Sequence, residues 1–166
     1  MSEKKTIFVQ KLVQKGFFNY SDTYNFCYLW IKDEGYDLTE KKYKEKITQR
    51  GKLIEIEWIA EKEISDYFKI VIEVKWRIVA MTDVEVEENG KKIKTNKGEL
   101  EMKFKGKLER DYEDRWEKTP LYKWMRGIYD RYIIRTIMDQ YEEDVFSDAQ
   151  EWVEQIKSFL RLEGRR

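Results

Sequence analysis

Carboxylates crowd most densely at ERDYEDRWE, where Glu109, Asp111, Glu113, Asp114 and Glu117 fall within one short run. Hard oxygen ligands at such density suit a divalent cation. Arg110 and Arg115 stand in the same run and neutralise it, and the spacing matches no calcium loop. The run reads as a solvated, charged strand end, and no metal site is expected. Lysines gather at Lys91, Lys92, Lys94, Lys97, Lys103, Lys105 and Lys107. With Tyr43, Trp58 or Trp76 they could make a groove in which single-stranded nucleic acid stacks its bases. Interleaved glutamates suggest cross-strand Lys–Glu pairs instead, so nucleic acid is not the expected partner.

Other chemistry is excluded by what the chain lacks. It contains no histidine, which removes imidazole bases, Ser-His and Cys-His pairs and the common zinc sites. The single Cys27 leaves no internal disulfide and no CxxC motif. Set in NFCYLWI, it reads as a small buried hydrophobe. No P-loop, GxGxxG, HExxH or GxSxG is present. Neither catalytic residues nor a cofactor are expected, and the chain reads as a non-enzyme.

The 33 basic and 33 acidic residues cancel, so the surface as a whole is not tuned for nucleic acid or an acidic membrane. No apolar run approaches the ~20 residues of a membrane span, and the N-terminus lacks a signal-peptide core. A cytoplasmic protein without membrane contact is the expectation. Charged residues make up 40%, and the Lys/Glu richness resembles that of proteins from hot environments.

The elements that must position any site follow from periodicity. Thr6 to Phe18 reads as a first strand. Asn19 or Ser21 caps a helix over the next stretch, and Gly35 stands at its C-terminal end. From Leu38 to Tyr112 apolar residues alternate with charged ones, as in Ile54, Ile56, Trp58 and Ala60 against Glu55, Glu57 and Glu61. ENGK at 88–91 is a strong hairpin signal, and QRGK at 49–52 and NKGE at 96–99 look like further turns. Pro120 fits a first helical position, with Thr119 as its cap. The expected fold is α+β in one domain, 1–166. An antiparallel meander of five or six strands receives a helix after strand 1 and a long C-terminal helix, continuous or broken, packed on the sheet. Residues 1–132 form the body and 133–166 a helical extension. This order of elements resembles the helix-grip architecture of START-like proteins. The resemblance implies a curved sheet wrapped around a C-terminal helix, often with a cavity between them. No residue motif accompanies it, so it transfers no site.

Two surfaces carry the functional expectations. Ile56, Trp58, Ile70, Ile72, Trp76, Met102 and Phe104 line one face of the sheet, a cup that could hold a small apolar ligand. In the competing reading Leu121, Trp124, Met125, Ile128 and Tyr132 fill it. The second surface arises because the C-terminal helical pattern changes face. At about 100° per residue, Leu121 to Tyr132 share one side, whereas Ile134, Ile137, Met138 and Tyr141 lie nearly opposite. Met138, Val145, Trp152 and Phe159 then recur every seven residues, flanked by Ile134, Tyr141, Ala149 and Ile156. Either SDAQ at 147–150 caps a new helix that folds back on its own chain, or the helix leaves the body and docks on another subunit. The leading expectation is a non-enzymatic assembly or structural protein, a homo-oligomer or the binder of a protein partner. Its contact would run through Ile134, Met138, Tyr141, Val145, Trp152, Ile156 and Phe159. A helix-grip carrier of an apolar ligand and a single-stranded nucleic-acid binder on the Lys-rich face are the alternatives.

Overall fold

The computed structural model describes residues 3–110, 120–132 and 134–164; the side chains of 122, 126, 129–132, 134 and 163–164 lie outside the described set. Eight elements follow in order: β1 (Glu3–Phe18), α1 (Tyr20–Asp33), β2 (Asp37–Thr48), β3 (Gly51–Glu63), β4 (Phe68–Glu88), β5 (Lys91–Arg110), α2 (Pro120–Tyr132) and α3 (Ile134–Gly164). The strands form one antiparallel sheet in the order β1-β5-β4-β3-β2. The α+β class, the helix after the first strand and the long C-terminal helix all follow the expectation from sequence.

Strands β2 to β5 are a meander because tight turns join them. Asn89 and Gly90 both adopt positive φ, 52° and 76°, as the Asn-Gly pair allows. The chain must therefore cross from β1 at one edge to β2 at the other. Four inter-strand steps of ~4.8 Å make that width about 19 Å, and 14 helical residues rise about 21 Å. Helix α1 is the crossing. Asn19 caps its start by accepting the Asp22 amide at 2.9 Å. Gly35, at φ 91°, ends it, with Tyr36 N donating back to Ile31 O at 3.2 Å.

One sheet face is the core. Phe8 and Leu12 on β1, Leu100 to Leu108 on β5, Phe68 to Ile78 on β4 and Ile54 to Ala60 on β3 alternate into it. Helix α3 covers that face with Val145, Ala149, Trp152, Val153, Ile156 and Leu160, all buried. It approaches closely above Gly106, where a Cβ would meet Val145 Cγ1 at 3.1 Å and Ala149 Cβ at 3.5 Å. Helices α1 and α3 lie side by side: Trp30 stacks on Trp152 and Phe26 on Phe159, the latter at 4.6 Å and 7°. The Tyr36 hydroxyl donates to Asp148 at 2.7 Å, tying the end of α1 to α3.

Three local expectations are corrected. NKGE is not a turn: β5 runs through it, and Gly98 instead lets β4 bulge past. A Cβ there would meet Met81 Cα and Val79 O at 3.0 Å, beside Ala80 with its φ of 55°. SDAQ does not start a new helix, since α3 is continuous from Ile134 to Gly164. Val145, Ala149 and Trp152 form one buried stripe across that point, and its burial holds the helix together. Finally, Leu121, Trp124, Met125 and Ile128 do not fill the cup; they are exposed, and α3 and α1 occupy the sheet. Thr119 lies outside the described residues.

Candidate interaction surface

The cup residues do converge as the alternation requires. Ile56, Trp58, Ile70, Ile72, Trp76, Met102 and Phe104 share the core face and are all buried. Rings from both helices occupy the space above them. Tyr24 meets Trp58 edge-on at 5.0 Å, and Trp152 meets Phe104 at 5.5 Å. The indole N–H groups of Trp76 and Trp152 are buried there without a hydrogen-bond partner among the described residues.

The seven-residue repeat is likewise placed by the structure. Val145, Trp152 and Ile156 are fully buried within a single chain, against its own sheet. Met138 and Tyr141 are half-buried against the same core, and Phe159 is half-buried. Tyr141 contacts Phe68 at 5.1 Å, and Phe159 stacks on Phe26. The Ile134 side chain lies outside the described residues. The stripe expected to meet a second subunit thus closes the chain's own core. Its partner in the fold is the sheet expected to receive α2.

What the exchange leaves uncovered is α2. Leu121, Trp124, Met125 and Ile128 are 62, 64, 41 and 39% exposed. They sit at i, i+3, i+4 and i+7, one stripe along the helix. Such spacing is how an amphipathic helix presents anchors to a groove or to another helix. Water-exposed side chains of this size in one contiguous line mark interaction sites more often than isolated ones do. Sequence reasoning counted these residues as core. Ala149 and Gly106 are the small residues that permit α3 to approach the sheet closely, and the α2 stripe Leu121, Trp124, Met125 and Ile128 has no small residue of this kind.

The polar clusters are engaged structurally. Of the carboxylate run, Glu109 is buried beside Lys69 at 3.6 Å, and Arg110 pairs with Glu3. Asp111, Glu113, Asp114, Arg115 and Glu117 lie outside the described residues. Among the described residues, no cluster of three metal-ligating side chains occurs. All seven lysines of the first cluster stand on β5, not on neighbouring strands. Lys103, Lys105 and Lys107 face away from the core, whereas Trp58 and Trp76 point into it. These three lysines and the two tryptophans are therefore on opposite faces. Lys107 pairs with Glu73 at 2.9 Å and Lys103 with Glu101 at 3.6 Å. Cys27 is fully buried, and burial holds its thiol well above the usual range. Beside α1, the Tyr24 hydroxyl and the Trp58 indole both donate to Glu40, at 3.0 and 3.2 Å. Burial first, and the Glu40 bond second, push the Tyr24 phenol up to about 12. It serves as a neutral donor at ordinary pH, not a base.

No helix among the described residues is long and apolar enough to cross a membrane. Comparison with protein-family models, curated proteins and solved structures finds no match for this chain.

Proposed function

We propose that this chain is a non-enzymatic assembly protein that self-associates through helix α2. The observation that carries the reading is the exposed line Leu121, Trp124, Met125 and Ile128 on a helix whose neighbour α3 has taken the sheet. An amphipathic helix is stabilised chiefly by packing its apolar stripe, and here the described part of that stripe is left 39–64% exposed. Zero net charge removes the overall repulsion that would oppose the approach of a second copy. Trp and Met are also residue types enriched at interface cores. The small-ligand reading has less support, because rings of α1 and α3 pack directly on the cup residues. The test is solution mass. Replacing Trp124 and Met125 by glutamate should reduce the assembly to single chains while leaving sheet and helix content unchanged.

A further inference from the structure

Strand β1 is 16 residues long and lies at the sheet edge, paired on one side only, with β5. An edge of this length presents a row of unpaired backbone groups, a template for another strand. Its side chains on the open sheet face alternate Val9, Lys11, Val13, Lys15, each sharing that face with its β5 partner Lys105, Lys103, Glu101 or Glu99. Val9 and Val13 are 70% and 51% exposed. Lys11 stands directly across from Lys103, which stands across from Lys75. Like charges in direct opposition destabilise a sheet. Glu57 stands across from Lys75 at the row's inner end, while Glu101 is shared nearer the edge: Lys11 reaches it at 3.5 Å and Lys103 at 3.6 Å. Lys75 and Lys105 make no ion pair among the described residues. Strand β1 itself carries Lys4, Lys5, Lys11 and Lys15 against one acid, Glu3, so excess positive charge lies along the free edge.

We infer that the β1 edge takes up an extended acidic segment of a different protein as a sixth strand. The segment's open-face residues would alternate apolar and acidic, in step with Val9, Lys11, Val13 and Lys15. Its main chain pairs with β1. An acidic side chain beside Lys11 frees Glu101 for Lys103, and apolar ones cover Val9 and Val13. On the core side, the segment's other residues meet the rim formed by Phe146, which is half-exposed and packs edge-on against Phe8 at 5.5 Å. A second copy of β1 is a poor occupant. It brings four more lysines, Lys4, Lys5, Lys11 and Lys15, and its one acid, Glu3, is held by Arg110, so it offers no carboxylate to Lys11. The other edge, β2, is less suited: it carries three acids, Asp37, Glu40 and Glu45, among its lysines, and Lys42 and Lys44 stand opposite Glu57 and Glu55 of β3. The surface is separate from α2, so the molecule would join its own assembly to an acidic partner.

The probe is a fluorescein-labelled nine-residue peptide repeating Thr-Val-Thr-Glu, titrated into the full chain and followed by anisotropy. A second peptide carries glutamine for each glutamate, and oligothymidine serves as a non-peptide anion. The inference expects the acidic peptide to bind about tenfold or more tightly than the glutamine peptide, the scale of one lost charge pair. It expects Lys11→Glu, at a half-exposed position that leaves the fold intact, to remove that preference. It also expects added protection of β1 amides from hydrogen exchange. Absence of peptide binding, indifference to Lys11→Glu, or unchanged β1 exchange would each overturn it. Equal affinity for oligothymidine would do so too, by showing a general polyanion face. The Trp124→Glu, Met125→Glu variant should bind the peptide as the parent does, so failure at one surface does not imply failure at the other.

Discussion

Gly106→Ala tests whether α3 sits where the structure places it. In a strand interior, glycine to alanine ordinarily stabilises by about 0.5–1 kcal/mol, through lost freedom in the unfolded chain. Here the new methyl would lie 3.1 Å from Val145 Cγ1, 3.2 Å from Phe8 Cβ and 3.5 Å from Ala149 Cβ. The first two distances are shorter than ordinary van der Waals contact. Phe8 is directly paired with Gly106 across the strands, so its Cβ moves only if β1 moves. Val145 is β-branched on a helix and has essentially one rotamer. The misfit must then be taken up by lifting α3, and overpacking of this kind costs about 1–3 kcal/mol. The net expectation is a loss of about 1–2 kcal/mol. Gly127→Ala in α2 is the control: nothing lies within 4 Å of its added Cβ, so it should gain about 1 kcal/mol from helix propensity. Urea unfolding followed by tryptophan fluorescence measures both, with unchanged m-values expected. In a Val145→Ala background the cost of Gly106→Ala should shrink, since the nearest atom is gone. A Gly106→Ala protein as stable as the parent, or more so, would refute the close seating of α3 on β5.

Two further outcomes follow from the core. Trp152→Ala should cost about 3–5 kcal/mol, as large-to-small changes at fully buried aromatics do. Trp152→Phe should cost clearly less, because the indole N–H it removes has no partner to lose; the difference is readable in the same urea titrations. Stability should also fall at alkaline pH. Burial raises the Tyr20, Tyr24 and Tyr36 phenols above their unfolded value of about 10, Tyr24 to about 12. Above pH ~10 the unfolded chain releases these protons while the folded chain keeps them, so the stability present below that pH is lost progressively as pH rises. Thermal midpoints measured from pH 8 to 12 should be flat at first and then drop; a rise above pH ~10 would contradict the assignment.

The sheet was legible because its period is unambiguous. Alternation in KLIEIEWIA and FKIVIEVKW assigns every side chain to a face, and Asn89-Gly90 pins one register. The N-terminal helix was legible through Asn19 and Gly35. The pairing of β1 with β5, rather than with β2, was not read, since local pattern says nothing about which strands become neighbours. Which of two helical stripes packs on the sheet was not read for a related reason. Residues 121–128 and 145–160 both carry amphipathic stripes, and period alone cannot rank them for the sheet. The deciding quantity is a long-range fit, Val145 and Ala149 over Gly106, between residues about 40 apart in the chain. NKGE failed in the same manner: Gly98 resembles a turn residue locally, yet its role is to admit the Ala80 bulge of a neighbouring strand.

The central claim is that α3 closes the sheet and leaves α2 for a second subunit. Absolute mass by light scattering after size exclusion, across a range of concentrations, tests it most directly. The expected result is a mass above the 20.4 kDa of one chain that returns to 20.4 kDa in the Trp124→Glu, Met125→Glu variant. The variant's far-ultraviolet dichroism should be unchanged. A strict 20.4 kDa monomer at every concentration, or an oligomer indifferent to the variant, would contradict the claim.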